Sequence, residues 1–200
     1  MSSEKHTNQA GPTWPWVFAF AALAVLHRLL PRLLHLGPEA QIVWNFVPVG
    51  ALGLFAGARW HSRFAVLTPL AVMLGSDLLM WPLLAAQGYS TFSWGTPIIY
   101  ASFTVYALIG RLMRPTSSVV WITAAPFAGS VQFFLASNFL CWPGNPIYPQ
   151  NLSGLMQCYI AGVPFFPNTL GADLLFSFLF FGLYALGQSV IQRQKASQPA

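Results

Sequence analysis

Carboxylates are what this chain has least of. Its 200 residues include four acids, Glu4, Glu39, Asp77 and Asp173, and only 6% of its side chains are charged. Soluble domains are nearer a quarter charged. So little charge cannot clothe a surface that meets water, which excludes an ordinary soluble domain. Two cysteines exclude a cysteine-built zinc cluster and a multi-bridge disulfide scaffold. The HExxH, GxSxG and P-loop patterns are missing, as is any metal-ligand spacing, so nothing points to an enzyme and no cofactor is implied.

Apolar residues fill the space that charge leaves. They make up 56% of the chain, the mean hydropathy is +0.57, and long apolar runs recur. This is the composition of a polytopic membrane protein. A helix needs roughly 20 apolar residues to cross a bilayer. Six spans are expected, at Trp14–Leu36, Ile42–Ala58, Phe64–Ala86, Thr96–Met113, Val119–Leu140 and Pro164–Ile191. The first is read as a retained span rather than a cleaved signal, because its apolar run has no clean end at a cleavage site. The stretch "GLMQCYIAGV" stops at Pro164 and Pro167 and reads as an interfacial or re-entrant segment. The fold class expected is therefore an all-α membrane bundle of six transmembrane helices. A single domain over 14–191 lies between cytoplasmic tails at 1–13 and 192–200.

The net charge of +5 is better read as a topology signal than as a nucleic-acid patch. With the N-terminus inside, Lys5, Arg59, Arg63, Arg111, Arg114, Arg193 and Lys195 fall on the inner side. Only Arg28 and Arg32 fall outside, a positive-inside bias that predicts both termini in the cytoplasm.

Half of the acids sit in one phrase used twice. "LGSDLL" at Leu74–Leu79 returns as "LGADLL" at Leu170–Leu175, placing Asp77 and Asp173 within apolar runs. On the span map both lie in the outer half of the membrane. Asn45 opens span 2 on the outer side, Asn138 closes span 5 there, and Arg28 lies near the outer end of span 1. A carboxylate inside a membrane costs about 2.5–3.5 kcal/mol on insertion scales, so each needs a partner or a watery cavity.

Thr169, Asp173 and Ser177 share one helix face at i, i+4, i+8. Either the acids bind a solute or a proton, or they accept local hydrogen bonds and pin helices together. Arg28 reads equally as a snorkelling side chain or as the partner of an Asp or an anionic ligand group. Asn45 reads equally as a helix cap or a ligand contact. Gly50, Gly53 and Gly57 predict close approach of another helix. Thr123, Ser130 and Ser137 share a face better suited to packing. Of the many outer aromatics, Trp142, Tyr159 and Phe166 flank the polar cluster, while most of the others form an interfacial belt. Cys141 and Cys158 share an outer loop, where a disulfide is one reading.

The strings "NFVPVGALGLFAGA", "PLAVMLGSDLL", "FFLASNFLCW" and "GLMQCYIAGVPFFPNTLGADLLF" resemble an uncharacterised family of bacterial integral membrane proteins. That family in turn looks like the substrate-binding S components of energy-coupling factor transporters. The resemblance implies six helices with cytoplasmic termini in a bacterial inner membrane and an outward pocket for a vitamin- or nucleobase-like solute. It also implies as partners an energy-coupling membrane subunit and its ATPases. Helix 1, "AFAALAV", departs from the AxxxA that such proteins use for docking. The site expected on this reading comprises Asp77, Asp173, Asn45, Asn138, Arg28, Tyr159, Trp142, Phe166 and Thr169, with no metal. A proton-coupled carrier and a structural or assembly subunit are the competing readings.

Overall fold

The computed structural model describes residues 13–34, 36, 46–60, 62–113 and 118–197, and every regular element among them is helical. In chain order these are α1 (Trp14–Leu33), α2 (Val49–Arg59), α3 (Thr68–Ala85), α4 (Thr96–Leu112), α5 (Val119–Leu140), α6 (Leu152–Gly162) and α7 (Phe166–Ala196). Short 3-10 turns at Arg63–Leu67 and Val163–Phe165 lead into α3 and α7.

The helix starts follow local chemistry. Proline opens α1, α3, α4 and α7 within the first two positions, where its missing N–H would find no helical partner anyway. Ser118 and Asn151 cap α5 and α6 by accepting from Trp121 N and Gly154 N. The loop after α3 turns on Gly88, whose φ of 79° a side chain would resist.

The stretches Trp14–Leu33, Arg63–Ala85, Val119–Leu140 and Leu152–Ala196 are long and apolar enough to cross a membrane, and Val49–Arg59 and Thr96–Leu112 are shorter apolar helices. Most boundaries lie within a few residues of the sequence reading: α1 ends at Leu33 rather than Leu36, and α3 starts at Thr68 rather than Phe64. Two depart further. The second helix runs as Val49–Arg59, while the residues expected to begin it, 42–45, lie outside the described ones. The last helix runs to Ala196, past the expected end at Ile191, because polar Gln192, Arg193, Gln194 and Lys195 favour helix as well as apolar residues do.

α2 is the hub. Every residue from Val49 to Ala58 is buried. Its small residues let α4 press against it: a Cβ on Gly57 would overlap the Ala107 carbonyl, and one on Gly110 would overlap that of Leu54. The two glycines thus meet the facing backbones reciprocally, the close approach that the GxxxG spacing predicts.

The two ends of the bundle differ in chemistry. At one end Phe20, Phe55, Phe180, Phe181 and Tyr184 form an aromatic core, with Phe20 and Phe180 stacked at 4.1 Å. Arg59 lies over Phe181 and Tyr184 there, and Arg111 donates to the Arg63 carbonyl. At the other end the interior is polar. The sides of the bundle are largely apolar: Leu74, Leu78 and Trp81 on α3, Phe127 and Leu135 on α5, and Leu175 and Phe178 on α7 are all exposed. Greasy side chains outside and acids inside suit a hydrocarbon surround and mark a membrane protein.

Candidate functional site

The two acids lie where α1, α3, α4, α5 and α7 converge at the polar end. Asp77 is about 12 Å along α3 from its end at Ala85, and Asp173 about 10 Å along α7 from Phe166. Both are buried, at 5% and 2% exposure.

Each acid has its own partners. Arg28 on α1 pairs with Asp77 Oδ1 at 2.6 Å, and Tyr100 on α4 donates to Oδ2, also at 2.6 Å. The second guanidinium nitrogen of Arg28 rests on the Met73 sulfur. Asp173 is held by hydroxyls alone. Tyr106 on α4 and Ser130 on α5 both donate to Oδ2, at 2.6 and 2.7 Å. Oδ1 faces Gly50, in the first turn of α2, where any Cβ would overlap it. That first turn has backbone N–H groups without helical partners, and its dipole favours a carboxylate nearby.

Cavities adjoin these groups. One of about 190 Å³ is lined by Asp173, Thr169, Tyr106, Phe103, Phe133, Arg28 and Met73. A wider one of about 440 Å³ is lined by Asp77, Arg28, Tyr100, Thr91, Ser93, Trp94 and Ser137. They share Arg28, Met73 and Ile99, so the Arg28–Asp77 pair stands between the wide vestibule and the inner chamber. A third cavity, of about 270 Å³, is lined by Asn138, Phe134, Phe166, Thr169 and Gly162. It shares Thr169 and Phe133 with the inner chamber.

Residues 8–196 match the model of a family of unknown function, DUF6580. The chain belongs to that family. No curated protein and no solved structure matches it.

The structure of this DUF6580 protein brings together Arg28, Asp77, Asp173 and Thr169 of the residues singled out from the sequence. Asn138 and Phe166 line the side cavity. The Asn138 side-chain amide donates to the Phe134 carbonyl at 2.9 Å, and the backbone carbonyl of Asn138 accepts from the Cys158 thiol. Tyr159 lies beyond: its hydroxyl donates to the Leu135 carbonyl and its ring tilts against Phe134 at 5.9 Å. Trp142 belongs to the loop after α5, with its indole N–H on the Pro149 carbonyl, and it lines none of these cavities. Asn45 lies outside the described residues. Cys141 and Cys158 are free thiols.

No motif or spacing in the sequence marks Tyr106, Tyr100 or Met73 as site residues, and the spacing of Ser130 points to packing. A phenol in mid-span needs a partner when buried, so Tyr106 carried a signal of its own. Its ring lies against both Gly50 and Gly129, neither of which leaves room for a Cβ beside it. Ser177, the third member of the Thr169 stripe, is fully buried with its hydroxyl unpartnered in the structure.

Proposed function

We propose that this DUF6580 protein binds a small solute from outside the cell and hands it on for uptake. It would lie in a bacterial inner membrane with both termini cytoplasmic. The observation that carries this reading is the pair of adjoining cavities around Arg28, with an ion pair at their junction and a buried acid beyond it. An ion pair and an acid held at depth cost more than packing alone would require, whereas solute sites need a few placed polar groups in an apolar hollow. The four long apolar stretches and two shorter apolar helices, the gathering of Arg59, Arg63 and Arg111 at the end away from Arg28, and the small-residue hub helix support the six-span arrangement of an energy-coupling factor S component. On that reading, a membrane subunit and ATPases supply the energy.

The test is native mass spectrometry of the purified chain, looking for a co-purifying small molecule, repeated on Asp77→Asn. A bound molecule that the variant loses while staying folded in the membrane supports the reading. No bound molecule, with Asp77→Asn merely unfolding, supports a structural subunit instead.

A second reading, a proton-coupled carrier, is favoured by Asp173, a buried acid whose bonded partners are both uncharged hydroxyls. Such a carrier would move solute into vesicles under a pH gradient with no ATPase present.

A further inference from the structure

We infer that the inner chamber beside Asp173 takes a small organic monocation, a protonated amine or amidinium carried on an apolar or aromatic body. The inference rests on the solute-binding reading and names the chemistry of the solute. It follows from a count of charges. Among the described residues lining the inner chamber and the vestibule, the ionic side chains are Arg28, Asp77 and Asp173. Arg28 is committed to Asp77 at 2.6 Å, and that pair sums to zero. Asp173 remains, buried to 2% exposure, with two hydroxyl donors and no charge to balance its own. A buried carboxylate without a counter-charge is costly; a proton relieves it in the carrier reading, and in the solute-binding reading the occupant that relieves it is one positive charge.

The walls agree with the count. Phe103, Tyr106 and Phe133 line the same chamber, with Phe103 and Phe133 centred 5.0 Å apart and Phe103 and Tyr106 5.9 Å apart. Aromatic faces attract cations and accept flat apolar bodies, whereas an anion would face Asp173 with Arg28 already spent. Both hydroxyl donors bond Oδ2, which leaves Oδ1 able to accept an N–H from the guest. The volume of about 190 Å³ limits that guest to the size of a single ring with a short arm.

The test uses the full chain in lipid nanodiscs and three radiolabelled probes of one shape: phenethylamine (protonated), phenylethanol (neutral) and phenylacetate (anionic). Empty nanodiscs provide the blank. Saturable binding of the amine alone is expected, and Asp173→Asn should weaken it by about tenfold to a hundredfold. Should that variant not fold, the comparison of the amine with the alcohol on the unaltered chain still decides. Equal or better binding of the alcohol or the acid overturns the inference, as does amine binding that Asp173→Asn leaves unchanged. Absence of saturable amine binding overturns it too. The solute-binding reading falls with it only if native mass spectrometry also finds no co-purifying molecule.

Discussion

Tyr106 gives its hydroxyl to Asp173 at 2.6 Å while its ring is fitted between Gly50 of α2 and Gly129 of α5. One phenol thereby ties three helices to the buried acid of a fourth. Removing only the hydroxyl, in Tyr106→Phe, leaves Ser130 as the remaining donor. Hydrogen bonds to buried charges contribute about 1.5–3 kcal/mol in soluble proteins, and side-chain bonds between membrane helices average about 0.6. We expect a loss of about 1–2 kcal/mol in unfolding experiments in detergent. Gly129→Ala should cost more, because its Cβ meets the ring itself and overpacking typically costs about 1–3 kcal/mol or above. Gly182→Ala is the control, since nothing lies within 4 Å of its added Cβ, and it should be neutral or slightly stabilising because alanine favours helix over glycine.

The Arg28–Asp77 pair permits a double-mutant cycle. Both side chains are largely buried, at 14% and 8% exposure. Breaking such a pair from one side leaves an uncompensated charge and costs about 3–5 kcal/mol. Arg28→Met and Asp77→Leu should therefore each be severely destabilising. Together they should cost less than their sum, because neither charge is then left alone. Strict additivity in the melting data would show that the pair is uncoupled and that Tyr100 or Met73 carries the effect.

The burial of the two acids was legible because "LGSDLL" and "LGADLL" set carboxylates inside long apolar runs. Arg28 was legible as a candidate and undecided between solvent and Asp77, since spacing along one helix says nothing about the rotation of its neighbour. The partners of Asp173 were harder to read. Tyr106 and Ser130 sit in apolar runs of other helices, and their meeting depends on the crossing of α2, α4 and α5, which is set by glycines whose pairing the sequence does not state. Gly57 advertised a close approach without naming Ala107 as the surface approached. Trp142 shows the opposite limit: an aromatic next to a polar cluster in sequence is tied into its own loop in space.

That glycine pairing makes a prediction of its own. Gly57→Ala and Gly110→Ala each drive a Cβ into a backbone carbonyl of the facing helix, Ala107 and Leu54 respectively. A backbone cannot rotate away as a side chain can, so α2 and α4 must separate. Both variants should melt earlier than Gly75→Ala, at which nothing lies within 4 Å. Separation of the helices should also move Tyr106 off Asp173, so the glycine variants should lose solute binding along with stability.

The two cysteines report which end of the bundle faces outward. Cys141 is exposed just after α5, and Cys158 is buried on α6, donating its thiol to the Asn138 carbonyl at 3.3 Å. The loop containing Cys141 lies at the polar end, opposite Arg59, Arg63 and Arg111 at the aromatic end, so the proposed orientation, with both termini cytoplasmic, has that loop outside. A membrane-impermeant maleimide added to intact cells should therefore label Cys141, and Cys141→Ser should abolish the signal. Cys158 should react only after denaturation, because its thiol is shielded by helix packing and not by the membrane barrier. If Cys141 is labelled only in inverted vesicles, the orientation is reversed. The Asp77 vestibule would then open to the cytoplasm, and capture of a solute from outside the cell would be excluded.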